Sequence, residues 1–172
     1  MMSGVLVVVS GLPGAGKSSI ADALGEKLGP AVLSVDPIEA AMWRCGIPPS
    51  VETGVAAYEV VAVLAEHQLR LRLTVIADSV SSLEVARNMW RLAASRAGSP
   101  MRAIEVICSD DDVHRQRLGG RVRGIEGFPE PSWHDVLRRR DEWEPWADDH
   151  VVVDSMRGLD ENVADALDFL NS

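Results

Sequence analysis

Residues 11–18 of the chain read Gly-Leu-Pro-Gly-Ala-Gly-Lys-Ser, and their types and spacing suit the binding of a phosphate group. Glycines let backbone N–H groups converge on a phosphate, and a helix that follows adds the partial positive charge of its N-terminus. In this G-x-x-x-x-G-K-S pattern, the P-loop, the lysine reaches the β- and γ-phosphates and the serine hydroxyl ligates Mg²⁺. We therefore predict a nucleotide and Mg²⁺ site formed by Gly11, Pro13, Gly14, Ala15, Gly16, Lys17, Ser18 and Ser19, with Ser18 on the metal.

The residues on both sides of this motif form the elements that must position it. Residues 5–9 are a β-branched run suited to a buried parallel strand. After the motif, Ile20, Leu24 and Leu28 recur at the spacing of one helix face, and a Gly-Pro pair then ends the helix. The order of strand, glycine-rich turn and helix is the context that the motif requires.

Strand and helix patterns alternate through the rest of the chain. Because such alternation requires a parallel sheet with right-handed crossovers, we predict one α/β domain over residues 1–172, a three-layer sandwich around a five-stranded parallel sheet. The remaining strands are predicted at 31–35, 73–77, 102–108 and 151–153. Within the helices, Asp36 and Ser81 are predicted N-caps, and the helix at about 53–72 is predicted to face inward with Val60, Val63, Leu64 and Leu71.

Two aspartates follow predicted strands, at the edge of the sheet where ligands bind. Asp36 opens residues 37–72, a stretch longer than one crossover helix needs, which we interpret as an acceptor-binding insertion; Asp36 would take the proton from an acceptor hydroxyl. Asp78 ends an apolar strand as a Walker-B-type carboxylate does, so we assign it to the Mg²⁺ shell, directly or through water, or to the substrate. Arg44 and Tyr58 are candidate substrate residues, and packing is the alternative for both.

Arginines mark the second candidate region. Arg117 and Arg121 are four residues apart, so they share a helix face if the helical turn persists through Gly119 and Gly120. Arg115 and Arg123 flank them, and a Gly/Pro-rich loop follows. We predict a lid over about 110–146 whose arginines bind the phosphates and stabilise transition-state charge while water is excluded. The alternative is a solvated helix whose arginines are balanced by the preceding aspartates.

Composition limits the classes of partner. The net charge of −9 over 172 residues works against binding to a nucleic-acid backbone. No stretch approaches about 18 uninterrupted apolar residues, so no membrane span is predicted, and a strand at the very start leaves no room for a signal peptide. The two cysteines are far apart, which favours the reducing cytoplasm. None of the four histidines has metal-ligand spacing, and all are interpreted as incidental.

The motifs resemble those of a group of small P-loop kinases. Residues 11–18 resemble the P-loop of chloramphenicol phosphotransferase, gluconate kinase, the zeta-toxin kinases and the kinase domain of polynucleotide kinase. Residues 35–40 look like the segment of chloramphenicol phosphotransferase that carries its proposed catalytic base, Arg117 to Arg121 resembles the lid arginine motif, and residues 153–155 are similar to a segment near the adenine. The resemblance implies a nucleoside-monophosphate-kinase-like fold with a lid and ATP as the nucleotide, but the acceptor does not transfer with the fold.

The main prediction is an ATP- and Mg²⁺-dependent phosphotransferase that moves the γ-phosphoryl group to a hydroxyl of a small molecule, an antibiotic, sugar, nucleoside or nucleotide-sugar. Asp36, Lys17, Arg117 and Arg121 would be its catalytic residues. Two alternatives stay open, a nucleotide-binding sensor or accessory module without phosphotransfer and a polynucleotide 5′-hydroxyl kinase. A translational GTPase is disfavoured because the chain has no Asn-Lys-x-Asp segment to bind guanine.

Overall fold

The computed structural model describes residues 4–121 and 124–172, and its core is one parallel sheet. Arg123, one of the arginines that flank the predicted lid pair, lies outside the described residues. The strands are β1 (Leu6–Gly11), β2 (Ala31–Ser34), β3 (Val75–Ser79), β4 (Met101–Ile107) and β5 (His150–Asp154). The helices are α1 (Lys17–Leu28), α2 (Val35–Arg44), α3 (Val51–Arg70), α4 (Glu84–Ala97), α5 (Asp111–Gly119), α6 (Trp133–Asp141) and α7 (Leu159–Leu170).

Helices cover both faces of the sheet, so the predicted three-layer α/β architecture is confirmed. On one face, α3 and α4 bury residues such as Val61 and Trp90 against β1 and β3. On the other, α1 and α7 bury residues such as Leu24 and Val163. These apolar clusters make the sheet a rigid base for the loops at its carboxyl edge.

The strand order β2-β3-β1-β4-β5 places β1 in the middle of the sheet. Each neighbouring pair of strands is parallel, and β1 is paired with β3 on one side and β4 on the other. The loop after β1 therefore opens at the centre of the carboxyl edge, where open α/β sheets bind their ligands. The fold thus brings the glycine-rich loop and the ends of β2 and β3 to one place.

The start of α2 differs from the prediction, because Ser34 and not Asp36 occupies the N-cap position. Asp36 lies in the first turn of the helix, and Pro37 follows it. Proline is tolerated there because N–H groups of the first turn have no partner within the helix. The hydroxyl of Ser34 bonds to Asp78 on the neighbouring strand, so contact across the sheet decides where β2 ends.

The predicted N-cap at Ser81 is also wrong. Ser81 has a left-handed φ of 47°, and its hydroxyl is shared between the Ser79 hydroxyl at 2.6 Å and the Trp90 indole N–H at 2.9 Å. Because these buried contacts use the hydroxyl, α4 begins later, with Leu83 in the N-cap position. Ser81 fixes the loop after β3 to the core.

The predicted inward face of α3 is wrong as well. The helix buries a stripe of mostly small residues against the sheet, Thr53, Ala57, Val61, Ala62, Ala65 and Leu69. The larger residues that were predicted to face inward are exposed, namely Val60, Val63, Leu64 and Leu71. Alanines let α3 approach its neighbours closely, which bulky side chains would prevent.

No helix in the described part of the chain has the length and apolar content needed to cross a bilayer.

Candidate functional site

The loop after β1 depends on glycine at three positions. A Cβ on Gly11 would lie 2.4 Å from the carbonyl oxygen of Val106 on β4, so a larger residue cannot fit without movement of the backbone. Gly14 and Gly16 have φ of 83° and 103°, a conformation that favours glycine. Gly16 is the N-cap of α1, so the loop leads directly into a helix N-terminus whose N–H groups are available to an anion.

The loop borders a cavity of about 490 Å³, which we call the loop cavity. Lys17, the first residue of α1, is only 4% exposed and lies in its lining. Both predicted lid arginines line it as well, Arg117 from α5 and Arg121 from the segment after it. Because α5 ends at Gly119, the helix face that the two arginines were predicted to share does not reach Arg121. The full lining is Gly14, Gly16, Lys17, Ser18, Ser19, Gln116, Arg117, Gly120 and Arg121.

The other predicted loop residues shape the loop from behind. Ala15 is buried, and the carbonyl oxygen of Pro13 accepts a hydrogen bond of 2.8 Å from Nε2 of His114. Because a carbonyl can only accept, this bond requires the tautomer protonated at Nε2. His114 also packs its ring edge-on against Trp133 and is 3% exposed. It therefore anchors the loop to α5, a role that the sequence did not reveal, since no local pattern marks the contact.

Asp78 lies near the end of β3, between β1 and β2. Its Oδ2 accepts hydrogen bonds from the hydroxyls of Ser18, at 2.8 Å, and Ser34, at 3.0 Å. The side chain is buried, and its Oδ1 has no hydrogen-bond partner among the described residues. The predicted pairing of Ser18 and Asp78 is therefore present in the geometry.

These oxygens fit a hard divalent cation such as Mg²⁺. A buried carboxylate oxygen without a partner is costly unless a cation or a donor reaches it, and Mg²⁺ is bound through carboxylate, hydroxyl and water oxygens. Asp22 lines a second cavity together with Ser18 and Asp78; burial raises its pKa, and the charge of Asp78 raises it further. The negative potential here favours a cation.

Asp36 borders two cavities. A cavity of about 280 Å³, which we call the carboxylate cavity, contains Lys17, Ser18, Asp78 and Arg121 in its lining together with Asp36. A larger cavity of about 540 Å³, the aromatic cavity, lies on its other side. Asp36 therefore lies between the cavity that contains Lys17 and Ser18 and a space large enough for a second ligand.

The aromatic cavity is formed by α2, α3 and the loop at 124–131. Tyr58 contributes its ring, and its hydroxyl accepts a hydrogen bond of 3.1 Å from the backbone N–H of Ser81. Burial raises the pKa of Tyr58, so the phenol stays protonated. Arg44 lies at the end of α2 and donates to the carbonyl oxygen of Glu126 at 3.1 Å, which ties the loop to the helix. The substrate roles of Tyr58 and Arg44 stay predictions.

The two lid arginines have different surroundings. Arg117 donates to the hydroxyl of Ser155 at 2.8 Å and to its carbonyl oxygen at 3.2 Å, which links α5 to the loop after β5. Arg121 lines both the loop cavity and the carboxylate cavity, and its guanidinium lies 3.8 Å from the carboxylate of Glu130. Both side chains thus line the cavity beside the glycine-rich loop.

Comparison with solved structures supports the kinase-like fold. APS kinase CysC of Mycobacterium tuberculosis, solved with AMPPNP and APS, is 20% identical, with a TM-score of 0.74 and 100% of each chain covered. A sugar kinase from Janibacter is 18% identical, with a TM-score of 0.73 and 98% and 95% covered. A gluconokinase from Sinorhizobium meliloti is 21% identical, with a TM-score of 0.68 and 99% and 93% covered. At these identities the likeness shows the fold.

Among curated protein sequences, none matches the chain significantly. A family model described as an AAA domain matches residues 6–142, which span β1 to the segment after α6 and include the loop, Asp36, Asp78 and both lid arginines. The chain belongs to this AAA domain family, AAA_33, with the P-loop fold that it shares with solved sugar, APS and gluconate kinases.

Proposed function

We propose that the protein is an ATP-dependent kinase that transfers the γ-phosphoryl group to a hydroxyl of a small molecule. The observation that carries this proposal is the position of Asp36, which lines both the cavity of Lys17 and Asp78 and the larger aromatic cavity. A nucleotide-binding module without chemistry has no need for a carboxylate at such a junction. The kinases with the same fold give the proposal its reaction class.

In the proposed reaction, Asp36 accepts the proton of the acceptor hydroxyl as its oxygen forms the new bond to the γ-phosphorus. The bond from that phosphorus to the β–γ bridging oxygen breaks, and ADP leaves. Lys17, Arg117 and Arg121 bind the phosphate oxygens, on which negative charge is spread in the transition state. Backbone N–H groups of the glycine-rich loop orient the triphosphate for in-line transfer.

Ser18 and Asp78 would hold Mg²⁺ beside the phosphates, and Asp22 adds negative charge near them. When bound, Mg²⁺ supplies charge neutralisation to the β- and γ-phosphates. The lid would comprise about residues 110–146 and the acceptor-binding part about 37–72. Arg117 and Arg121 would carry the lid's charge, while the loop at 124–131 would cover the acceptor.

The test is a transfer assay with γ-radiolabelled ATP, Mg²⁺ and a panel of hydroxyl-bearing small molecules, with a 5′-hydroxyl oligonucleotide as a further acceptor. We expect label on one class of small molecule, and we expect Lys17→Ala to abolish the transfer. Label on the oligonucleotide alone would favour the polynucleotide kinase alternative. ATP binding without transfer to any member would favour the sensor or accessory module and contradict the proposal.

A further inference from the structure

The aromatic cavity is bordered by a stacked pair of aromatic rings. Trp43 on α2 and Phe128 in the loop at 124–131 stack with ring centroids 4.7 Å apart and planes inclined by 13°. Tyr58 adds a third ring to the lining. Aromatic surfaces of this kind bind a ring through dispersion contacts with its apolar face, and they leave hydroxyls at the ring edge free for polar partners.

The rest of the lining is strongly acidic. Among the described residues that line the cavity, four are carboxylates, Asp36, Glu39, Glu130 and Asp135, and one is a cation, Arg139. A triphosphate bound in the neighbouring loop cavity would add further negative charge. Arg121 and Arg138 lie beside two of these carboxylates, Glu130 and Asp135, from outside the lining. The lining as a whole still disfavours an anionic acceptor relative to a cationic one.

Two of these carboxylates have other roles in the structure. Asp135 completes the capping box of α6 with Ser132, and Glu130 lies 3.8 Å from the guanidinium of Arg121. Glu39 differs, because it projects from the second turn of α2 towards α3 and into the cavity lining. It lies one helical turn beyond Asp36, on the side of the aromatic wall.

Glu39 is half-buried, and its surroundings penalise its negative charge. Burial raises the pKa of the carboxyl, and the neighbouring charge of Asp36 raises it further, while Arg139 opposes both effects. Its Oε1 lies 3.6 Å from the point where a Cβ on Gly54 would be, which places the carboxylate of Glu39 against α3. An ammonium group in the cavity would relieve the repulsion between the two carboxylates.

Resting on the proposed function, we infer that the acceptor is an aminated polyol, an amino sugar or aminocyclitol. Its ring packs against the side of the stacked Trp43–Phe128 pair that borders the cavity, its ammonium group lies at Glu39, and its hydroxyl faces Asp36. The amine provides the charge that the lining favours, and the apolar ring face matches the aromatic surface. The same carboxylates disfavour acidic acceptors.

Matched ligands test the inference by binding alone. Calorimetric titration at neutral pH, with the protein loaded with Mg²⁺ and AMPPNP to prevent turnover, compares glucosamine with glucose and gluconate, and kanamycin with its fully N-acetylated, uncharged form. We expect each aminated ligand to bind about 10- to 100-fold more tightly than its uncharged partner, the range of one charge-assisted hydrogen bond. Glu39→Gln should remove this preference without lowering the melting temperature. Glu59→Gln, an equal change of charge at an exposed position of α3, should preserve it.

Tighter binding of gluconate, equal binding within each matched pair, or the absence of binding by every probe would overturn the inference. Transfer from γ-radiolabelled ATP to the same ligands is measured in parallel and tests the proposed function. A preference for amines without any transfer would contradict the kinase reaction while supporting an aminated ligand. Transfer to the uncharged or acidic ligands alone would support the kinase reaction and contradict the inference of an aminated acceptor.

Discussion

Replacing Asp78 by asparagine separates the effect of this carboxylate on folding from its effect on the ligand. Its Oδ2 accepts from Ser18 and Ser34, and its Oδ1 is buried without a partner among the residues described. A hydrogen bond to a charged group contributes about 1.5–3 kcal/mol and one to a neutral group about 0.5–1.5 kcal/mol. Two weakened bonds therefore cost about 2–3 kcal/mol, by the same estimates.

Removing the charge offsets most of that loss. A buried polar atom without a partner costs about 1–3 kcal/mol, and more when it is charged. Neutralising Asp78 also relieves its repulsion with Asp22. We therefore expect the free energy of unfolding of Asp78→Asn without ligand to lie within about 1 kcal/mol of the wild-type value.

Metal-dependent nucleotide binding should change far more. Loss of a group that positions a metal costs about 10- to 100-fold in affinity, or about 1.4–2.8 kcal/mol. At saturating ATP, Mg²⁺ should raise the Tm of the wild type further. For a chain of this size, the weaker binding should make that increase about 3–10 °C smaller in the variant. Scanning fluorimetry with ATP, with and without Mg²⁺, measures this increment, and Asp168→Asn on the exposed side of α7 is the matched control. An increment in Asp78→Asn equal to that of the wild type would refute the assignment.

Three further predictions concern stability. Arg87 is fully buried, donates to backbone carbonyls near residues 81–82 and 144–145, and stacks on two tryptophans, so Arg87→Met should lower the free energy of unfolding in urea by about 3–5 kcal/mol. Gly11→Ala should cost about 1–3 kcal/mol in the same assay, because its Cβ would meet the carbonyl oxygen of Val106. Hydrogen bonds from Arg91 lower the pKa of Asp148, so this contribution to stability is present above the ordinary aspartate pKa. The contribution is lost as pH falls through the lowered pKa. Arg91→Gln should therefore make the free energy of unfolding depend less on pH in the acid range. Unchanged urea midpoints, or an unchanged acid profile, would contradict the respective prediction.

The architecture and the residues at the carboxyl edge of the sheet were predictable because they depend on local signals. Strand and helix periods established the alternation, and the parallel sheet then brought the ends of β1, β2 and β3 together. That is why the sequence predicted Ser18 and Asp78 as partners, which now lie 2.8 Å apart. The glycine-rich motif is also a local signal, because its residues are consecutive in the sequence.

Errors arose where distant contacts outweigh local preference. Ser81 has a cap-like sequence environment, but the indole of Trp90 recruits its hydroxyl. His114 was interpreted as incidental, although it holds the Pro13 carbonyl from 101 residues away. The buried face of α3 was predicted from its largest apolar residues. The structure buries alanines instead, because they let the helix approach its neighbours closely. Glu39 carries no local signal of its own, because its burial depends on the packing of α2 against α3.

The most direct test of the kinase account is single-turnover phosphoryl transfer by Asp36→Asn, measured with γ-radiolabelled ATP and an acceptor identified with the wild-type protein. Loss of a general base predicts a rate lower by about 10²- to 10⁴-fold. AMPPNP affinity should be retained, because Lys17, Ser18 and the glycine-rich loop are unaltered. Wild-type transfer rates in Asp36→Asn would contradict the central claim that this carboxylate accepts the proton of the acceptor hydroxyl during transfer.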